Sequence, residues 1–221
     1  MKFRGTYLLI FYVLVAFWPM EAKAQELPEI LMEVLRSDSA YQSLSCKIHI
    51  ELDVPGLSMP AKEIELKQEK GKKPKIKGEG ITILPRHGII GQYHEFLEVD
   101  CQAIPLSESG DTIVYKVVSL DKKTDWVTVD FELTQGDAKI HSMLISTRKN
   151  GEYLVRHQYA TESDLFPDHT EISFEAVPLN LPLKFLGKQE GMELSLDDKN
   201  GPVTGKIMLK YSEISWEKAA E

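Results

Sequence analysis

The chain is poor in the residue patterns from which metal and nucleophile chemistry is built. It has two cysteines, Cys46 and Cys101, with no CxxC spacing, and two isolated thiols cannot make a zinc site alone. Six histidines stand singly, at positions 49, 87, 94, 141, 157 and 169, with no HExxH pair and no neighbour that completes a metal motif. His49 and His157 fall within strand patterns and read as surface or rim residues. No serine occupies a GxSxG elbow. Gly78-Glu79-Gly80 lacks the third glycine and the helix of a phosphate loop. Basic residues are outnumbered, 26 Lys and Arg against 34 Asp and Glu, for a net charge of −8. That balance argues against nucleic acid or an anionic membrane surface as a partner and suits simple solubility. Repeats, low-complexity tracts, long charge blocks and an internal linker are also missing. The carboxylates are scattered over polar faces, so a hydrolase with an acidic pair has no pair singled out for it. No catalytic residue, metal or cofactor is expected.

One long apolar run is present. Lys2 and Arg4 precede Tyr7 to Met20, and Ala22-Lys23-Ala24 supplies small residues at the −3 and −1 positions. This is the layout of a secretory signal peptide cleaved after Ala24. The run is short for a membrane span of ~20 residues, and no later run reaches that length. Gln25 rather than Cys follows the cut, so no lipid anchor is expected there. Residues 1–24 are thus read as a leader and 25–221 as one domain, exported to the periplasm and able to bury a real core. Lys2, Arg4 and Lys23 against Glu21 give the leader +2, which leaves −10 for the domain. An oxidising compartment permits a Cys46–Cys101 disulfide, worth ~4 kcal/mol in the chain-entropy model. The equal alternative is two separate buried thiols.

The domain opens with one helix. Leu27, Ile30, Leu31, Val34 and Leu35 form an amphipathic stripe, with Pro28 in the first turn. The stripe ends near Asp38 and Ser39. From residue 45 the period becomes 2. Cys46, Ile48, Ile50, Leu52 and Val54 alternate with Lys47, His49, Glu51 and Asp53. Pro55-Gly56 marks a turn. Ala61 to Lys67 returns, a charged turn follows, and Pro74 to Leu84 resumes extension. Thr112 to Leu120 is β-rich. Val127, Val129, Phe131 and Leu133 alternate against Trp126, Thr128, Asp130 and Glu132. Lys139 to Arg148 and Tyr153 to Tyr159 flank Asn150-Gly151, a hairpin signal. Thr170 to Val177, Glu193 to Leu196 and Val203 to Ile214 complete about ten or eleven strands at hairpin spacing. Pro178 to Gly187 is apolar but interrupted by Pro178 and Pro182. It reads as a loop or short helix over the barrel mouth, or as an ordinary core plug. A helix covering an incompletely closed sheet leaves an apolar cavity between the two.

The order of these parts resembles the periplasmic lipoprotein-carrier (LolA-like) superfamily. Tyr41-Gln42-Ser43-Leu44 leading into the first strand is similar to that family's opening, and Lys72-Lys73-Pro74-Lys75-Ile76 to its basic-Pro strand start. Ile140 to Tyr159, then Leu165-Phe166-Pro167 before Thr170 to Phe174, resembles its hairpin series and LP turn. Gly205 to Ile214 is similar to its closing strand. Two departures stand out. Gly78 to Gly91 replaces the DGxxxWxY stretch, and Lys62 and Lys67 are the basic residues nearest the family's strand arginine.

The resemblance implies a mainly β fold with α: an open antiparallel half-barrel under an N-terminal lid helix. It implies a soluble, monomeric, non-enzymatic carrier that takes acyl chains of lipoproteins, or other lipids, towards the outer membrane. Its partners would be an inner-membrane release transporter and an outer-membrane acceptor. Burying a sixteen-carbon chain gives on the order of 12 kcal/mol. The residues expected to line the lipid cavity are Leu31, Val34 and Leu35 from the helix, Ile48, Ile50, Leu66, Val129 and Phe131 from strands, and Leu183 and Phe185 from the Pro-rich segment. The alternative is an envelope-stress sensor or protein-interaction module on the same fold, without transfer activity.

Overall fold

The alternation that begins after the first helix becomes sheet. A computed structural model of the chain describes residues 27–37, 41–55, 57–78, 93–136, 138–149, 151–161, 166–176, 193–194 and 203–218. The leader, and the Pro178–Gly187 segment with Leu183 and Phe185, lie outside the described residues. Helix α1 (Glu29–Ser37) carries an acid in its first turn and Arg36 in its last, both favourable to the helix dipole. Pro28 sits at the cap, where its carbonyl accepts from the Met32 amide at 2.9 Å.

The strands are β1 (Tyr41–Asp53), β2 (Leu57–Ser58), β3 (Lys62–Glu69) and β4 (Lys75–Lys77), then, after the short helix α2 (His94–Leu97), β5 (Cys101–Ser109), β6 (Thr112–Ser119), β7 (Trp126–Thr134), β8 (Lys139–Thr147), β9 (Glu152–Gln158), β10 (His169–Ala176), β11 (Glu193–Leu194) and β12 (Val203–Lys218). Ten of them form one antiparallel sheet in the order β4-β3-β1-β12-β10-β9-β8-β7-β6-β5, and β11 pairs with β2 apart from it. β4 and β5 do not pair, so the sheet stays open. From β5 to β10 consecutive strands are hydrogen-bonded to one another. The exception is β12, which enters the middle of the sheet between β1 and β10.

The core lies on one face of this sheet in two clusters. The first joins α1 and α2 to β5–β9, around Leu31, Leu35, Phe96, Val117, Phe131 and Leu133. The second lies over β1, β3, β10 and β12, around Ile48, Ile50, Ile64, Leu66, Phe174 and Leu209. Gly205 is set opposite Phe174 in the ladder, and a Cβ there would meet the Phe174 ring at 2.7 Å and Val54 at 2.8 Å. The β8–β9 hairpin turns at Gly151, with φ of 76°.

Several sequence expectations need correction. The strand β5 has no clean alternation and was not foreseen. Trp126 belongs to the buried face, not the polar one, because a bulge between Trp126 and Thr128 shifts the register against β8. Only Lys75–Lys77 of the Pro74–Leu84 stretch is described as strand. The final strand runs on to Lys218, past an irregularity where Glu213 takes φ of 50°. The cysteines form no disulfide: both are free and buried. Cys46 is on the third strand of the sheet order and Cys101 on the tenth. Strands ~4.8 Å apart set them far beyond the ~7 Å Cα limit of a bridge.

Candidate functional site

The inner face of the open sheet collects the residues expected to line a cavity. Leu31, Val34 and Leu35 project from one side of α1 because their spacing matches the helical period. They meet Val129 and Phe131, neighbours of one parity on β7, in the first cluster. Phe96 of α2 closes that group, edge-on to Trp126 and to Phe131, both at 5.3 Å between ring centroids. Ile48, Ile50 and Leu66 share the second cluster, with Ile48 set opposite Ile64 and Cys46 opposite Leu66. All eight are at most 2 % exposed. Ile172 of β10 packs against both clusters and links them. The structure therefore sets these residues on one apolar face, in two groups rather than one.

A buried polar chain crosses that face, and sequence reading missed it. His157 is 8 % exposed, not a rim residue. It has the parity of Tyr153 and Val155 on β9, which is the signal that places it inward. One ring nitrogen lies 3.3 Å from the Tyr93 hydroxyl, beside α2, and the other 2.9 Å from Thr170 Oγ1 on β10. Thr170 in turn bonds the hydroxyl of Tyr211 on β12. Burial, and after it the nearby His141, push the His157 value down to about 4, so it is neutral. Burial pushes the Tyr211 phenol up to about 12. The Tyr153 hydroxyl is buried without a hydrogen-bond partner among the described residues. It is a donor free for an acceptor brought by a ligand.

The thiols add no chemistry. Burial pushes Cys46 up to about 12, and burial with Asp100 raises Cys101. A protonated thiol is a poor nucleophile. His49 is half-exposed and pairs with Glu51 at 3.1 Å, as its strand position suggested. No Asp or Glu is buried as a whole residue, though one oxygen each of Asp130 and Asp168 is, and no group of three metal-ligating side chains occurs among the described residues. No helix there is long and apolar enough to cross a membrane. Two described cavities lie away from the apolar face. One of about 500 Å³ is lined by Leu144, Leu154 and Ser173, which share one row on the outer face of β8–β10. The other, about 340 Å³, lies beside the β3–β4 turn.

No family model and no curated protein matches the sequence. Solved structures do match in shape. A domain from Vibrio parahaemolyticus classed with the outer membrane lipoprotein-sorting proteins has a TM-score of 0.51 at 10% identity, over 87% of this chain and 93% of its own. A DUF1329 family protein from Desulfovibrio piger has a TM-score of 0.50 at 6% identity, over 87% and 93%. A LolA superfamily protein from Nitrosomonas europaea has 0.49 at 11% identity, over 86% and 93%. The chain shares the fold of the lipoprotein-sorting domain and of the DUF1329 protein. The open ten-stranded sheet with its helical cover is that fold's architecture, and nearly the whole of each neighbour is spanned.

Proposed function

We propose that this protein is a divergent LolA-like carrier of the periplasm, which shelters acyl chains of lipoproteins or other lipids between the sheet and its helical cover. The observation that carries the reading is the open sheet with an apolar inner face in two linked clusters, the first of them roofed by α1 and α2. The shared fold with a lipoprotein-sorting domain supports it. The cluster under α1 and α2 is tightly buried, so a cargo entering there has to displace the helical cover. The gain of roughly 0.8 kcal/mol per CH₂ offsets that displacement only for a long chain. Tyr153 would offer its free hydroxyl to an ester oxygen. The role is non-enzymatic, and the named cavity residues, Leu183 and Phe185 included, remain part of this proposal.

The test is mass spectrometry of protein purified under native conditions, followed by titration with a fluorescent fatty-acyl probe. Co-purifying acyl chains and saturable uptake, weakened by Phe131→Ser or Ile50→Ser in variants that stay folded, are expected. No uptake by a folded protein overturns the reading. A second reading, an interaction module, draws on the β5 edge. That strand has no neighbour on one side among the described residues and exposes Ile104 and Leu106, at 43 % and 49 %, a template for an added strand.

A further inference from the structure

The outer face of the sheet, beside the β3–β4 turn, holds a like-charge pair that the ladder leaves uncompensated. Lys67 of β3 and Lys75 of β4 are set directly opposite each other, an arrangement that costs stability when nothing lies between the charges. In the same row Lys67 faces Ser45 of β1, and Ser45 faces Ser215 of β12, so no carboxylate stands in it. The next outward pair on these two strands, Glu65 with Lys77, joins opposite signs. The acids that flank Lys67 along β3 are engaged elsewhere. Glu65 lies between Lys77 and Lys47, and Glu69 pairs with Lys72. Lys67, Lys73 and Lys75 make no ion pair among the described residues.

This row borders a groove of about 340 Å³, with Lys72 and Lys73 beside it from the turn. The volume falls in the ~300–1,000 Å³ range of small-molecule sites. Glu69 and Glu217 also border it, and Glu217 accepts from Ser43 at 3.2 Å. Four lysines against two carboxylates give the groove a charge of +2 in a chain whose net charge is −8. Lysine binds phosphate as a point charge and needs no forked geometry. A serine hydroxyl can donate to an oxyanion. A phosphate monoester carries about −1.5 to −2 at neutral pH, which matches the surplus. A phosphodiester or a carboxylate is singly charged and leaves one lysine of the opposed pair unmatched.

We infer that this groove binds a small phosphate monoester, its phosphate held between Lys67 and Lys75 and accepting from the Ser45 and Ser215 hydroxyls. A dianion there turns the opposed lysines from a repulsion into a clamp. The net negative charge of the chain does not forbid this. Screening limits each charge to about 8 Å at physiological salt, so the local surplus decides. The inference does not rest on the carrier reading. The Lys67 row is on the outer face of the sheet, and the apolar clusters are on the inner one.

The experiment is isothermal titration calorimetry of the purified protein, as the cell produces it, with glycerol phosphate, dimethyl phosphate and acetate, ionic strength being held constant with sodium chloride. Saturable binding of glycerol phosphate is expected, about tenfold or more tighter than that of either singly charged probe. Its affinity should fall as pH drops through about 6, where the monoester loses its second charge. Lys67→Met/Lys75→Met should weaken binding about tenfold or more, and Ser45→Ala/Ser215→Ala should weaken it severalfold. A matched Lys122→Met/Lys123→Met control at exposed positions should bind as the parent does. In phosphate-free buffer Lys67→Met/Lys75→Met should unfold no more easily than the parent, since it loses a repulsion. It should also keep acyl-probe uptake, so the two readings fail separately. No saturable binding, equal affinity for the singly charged probes, or equal loss in the lysine control overturns the inference. So does retention on phosphatidylglycerol vesicles without binding of glycerol phosphate, which would mark a membrane surface instead.

Discussion

His157 is a base held neutral inside an apolar face. Its folded value of about 4 lies below the ordinary 6.5, so between those pH values the unfolded chain takes up a proton that the folded chain does not. Stability is therefore complete above about pH 6.5, falls as pH drops through that window, and levels off below it. The span corresponds to about 3 kcal/mol. Thermal unfolding followed against pH should show the fall, and His157→Gln should flatten it while leaving the carboxylate-driven loss at lower pH. Gly205 is a second test at this scale. Phe174 covers it so closely that Gly205→Ala should lower stability by about 1–3 kcal/mol, read from the urea midpoint, and Phe174→Leu in the same chain should relieve part of that. Alternation made inward residues such as Ile48, Ile50 and Leu66 legible. It also held the placement of His157, which a general preference for exposed histidines overrode. The cysteines were not legible, because the distance between two strands depends on sheet order and not on spacing along the chain.

Helix α1 was readable as an element because its stripe repeats at the helical period, and its three buried residues are those the stripe named. Its role as cover is testable. Leu35→Ala removes a fully buried side chain and should cost about 2–5 kcal/mol, measured by denaturant unfolding. If the cover is what a cargo displaces, the same variant should take up acyl probe faster. Where an element failed to show, a physical reason is at hand. β5 is an edge strand, exposed from Ile104 to Ser109, carrying Pro105 and a bulge. An edge has neither a partner on both sides nor a face fully buried, so selection for alternation is absent. α2 spans four residues, less than two helical turns, and no periodicity can be read from that. In β7 the bulge moved Trp126 across the sheet, a one-residue slip that inverts a face.

At the scale of the molecule, strand count and hairpin order from β5 to β10 were legible from turn signals. The position of β12 was not, since long-range pairing leaves no local mark. Its removal is the sharpest whole-molecule test. A chain ending at Pro202 loses the strand that joins β4-β3-β1 to β10 through β5. It should lose cooperative unfolding and its near-ultraviolet aromatic signal, where loss of an edge strand would leave both. The placement of β12 also has a kinetic consequence. Tyr41 pairs with Lys218 and Ile50 with Leu209, so the first long strand waits for the last. A chain delivered amino end first builds the β5–β10 meander by local closures, while β1, β3 and β4 stay undocked until the final strand emerges. Such long closures make folding slow. Were the chain exported unfolded, as the proposed periplasmic role requires, late completion would keep it threadable until its last residues were through.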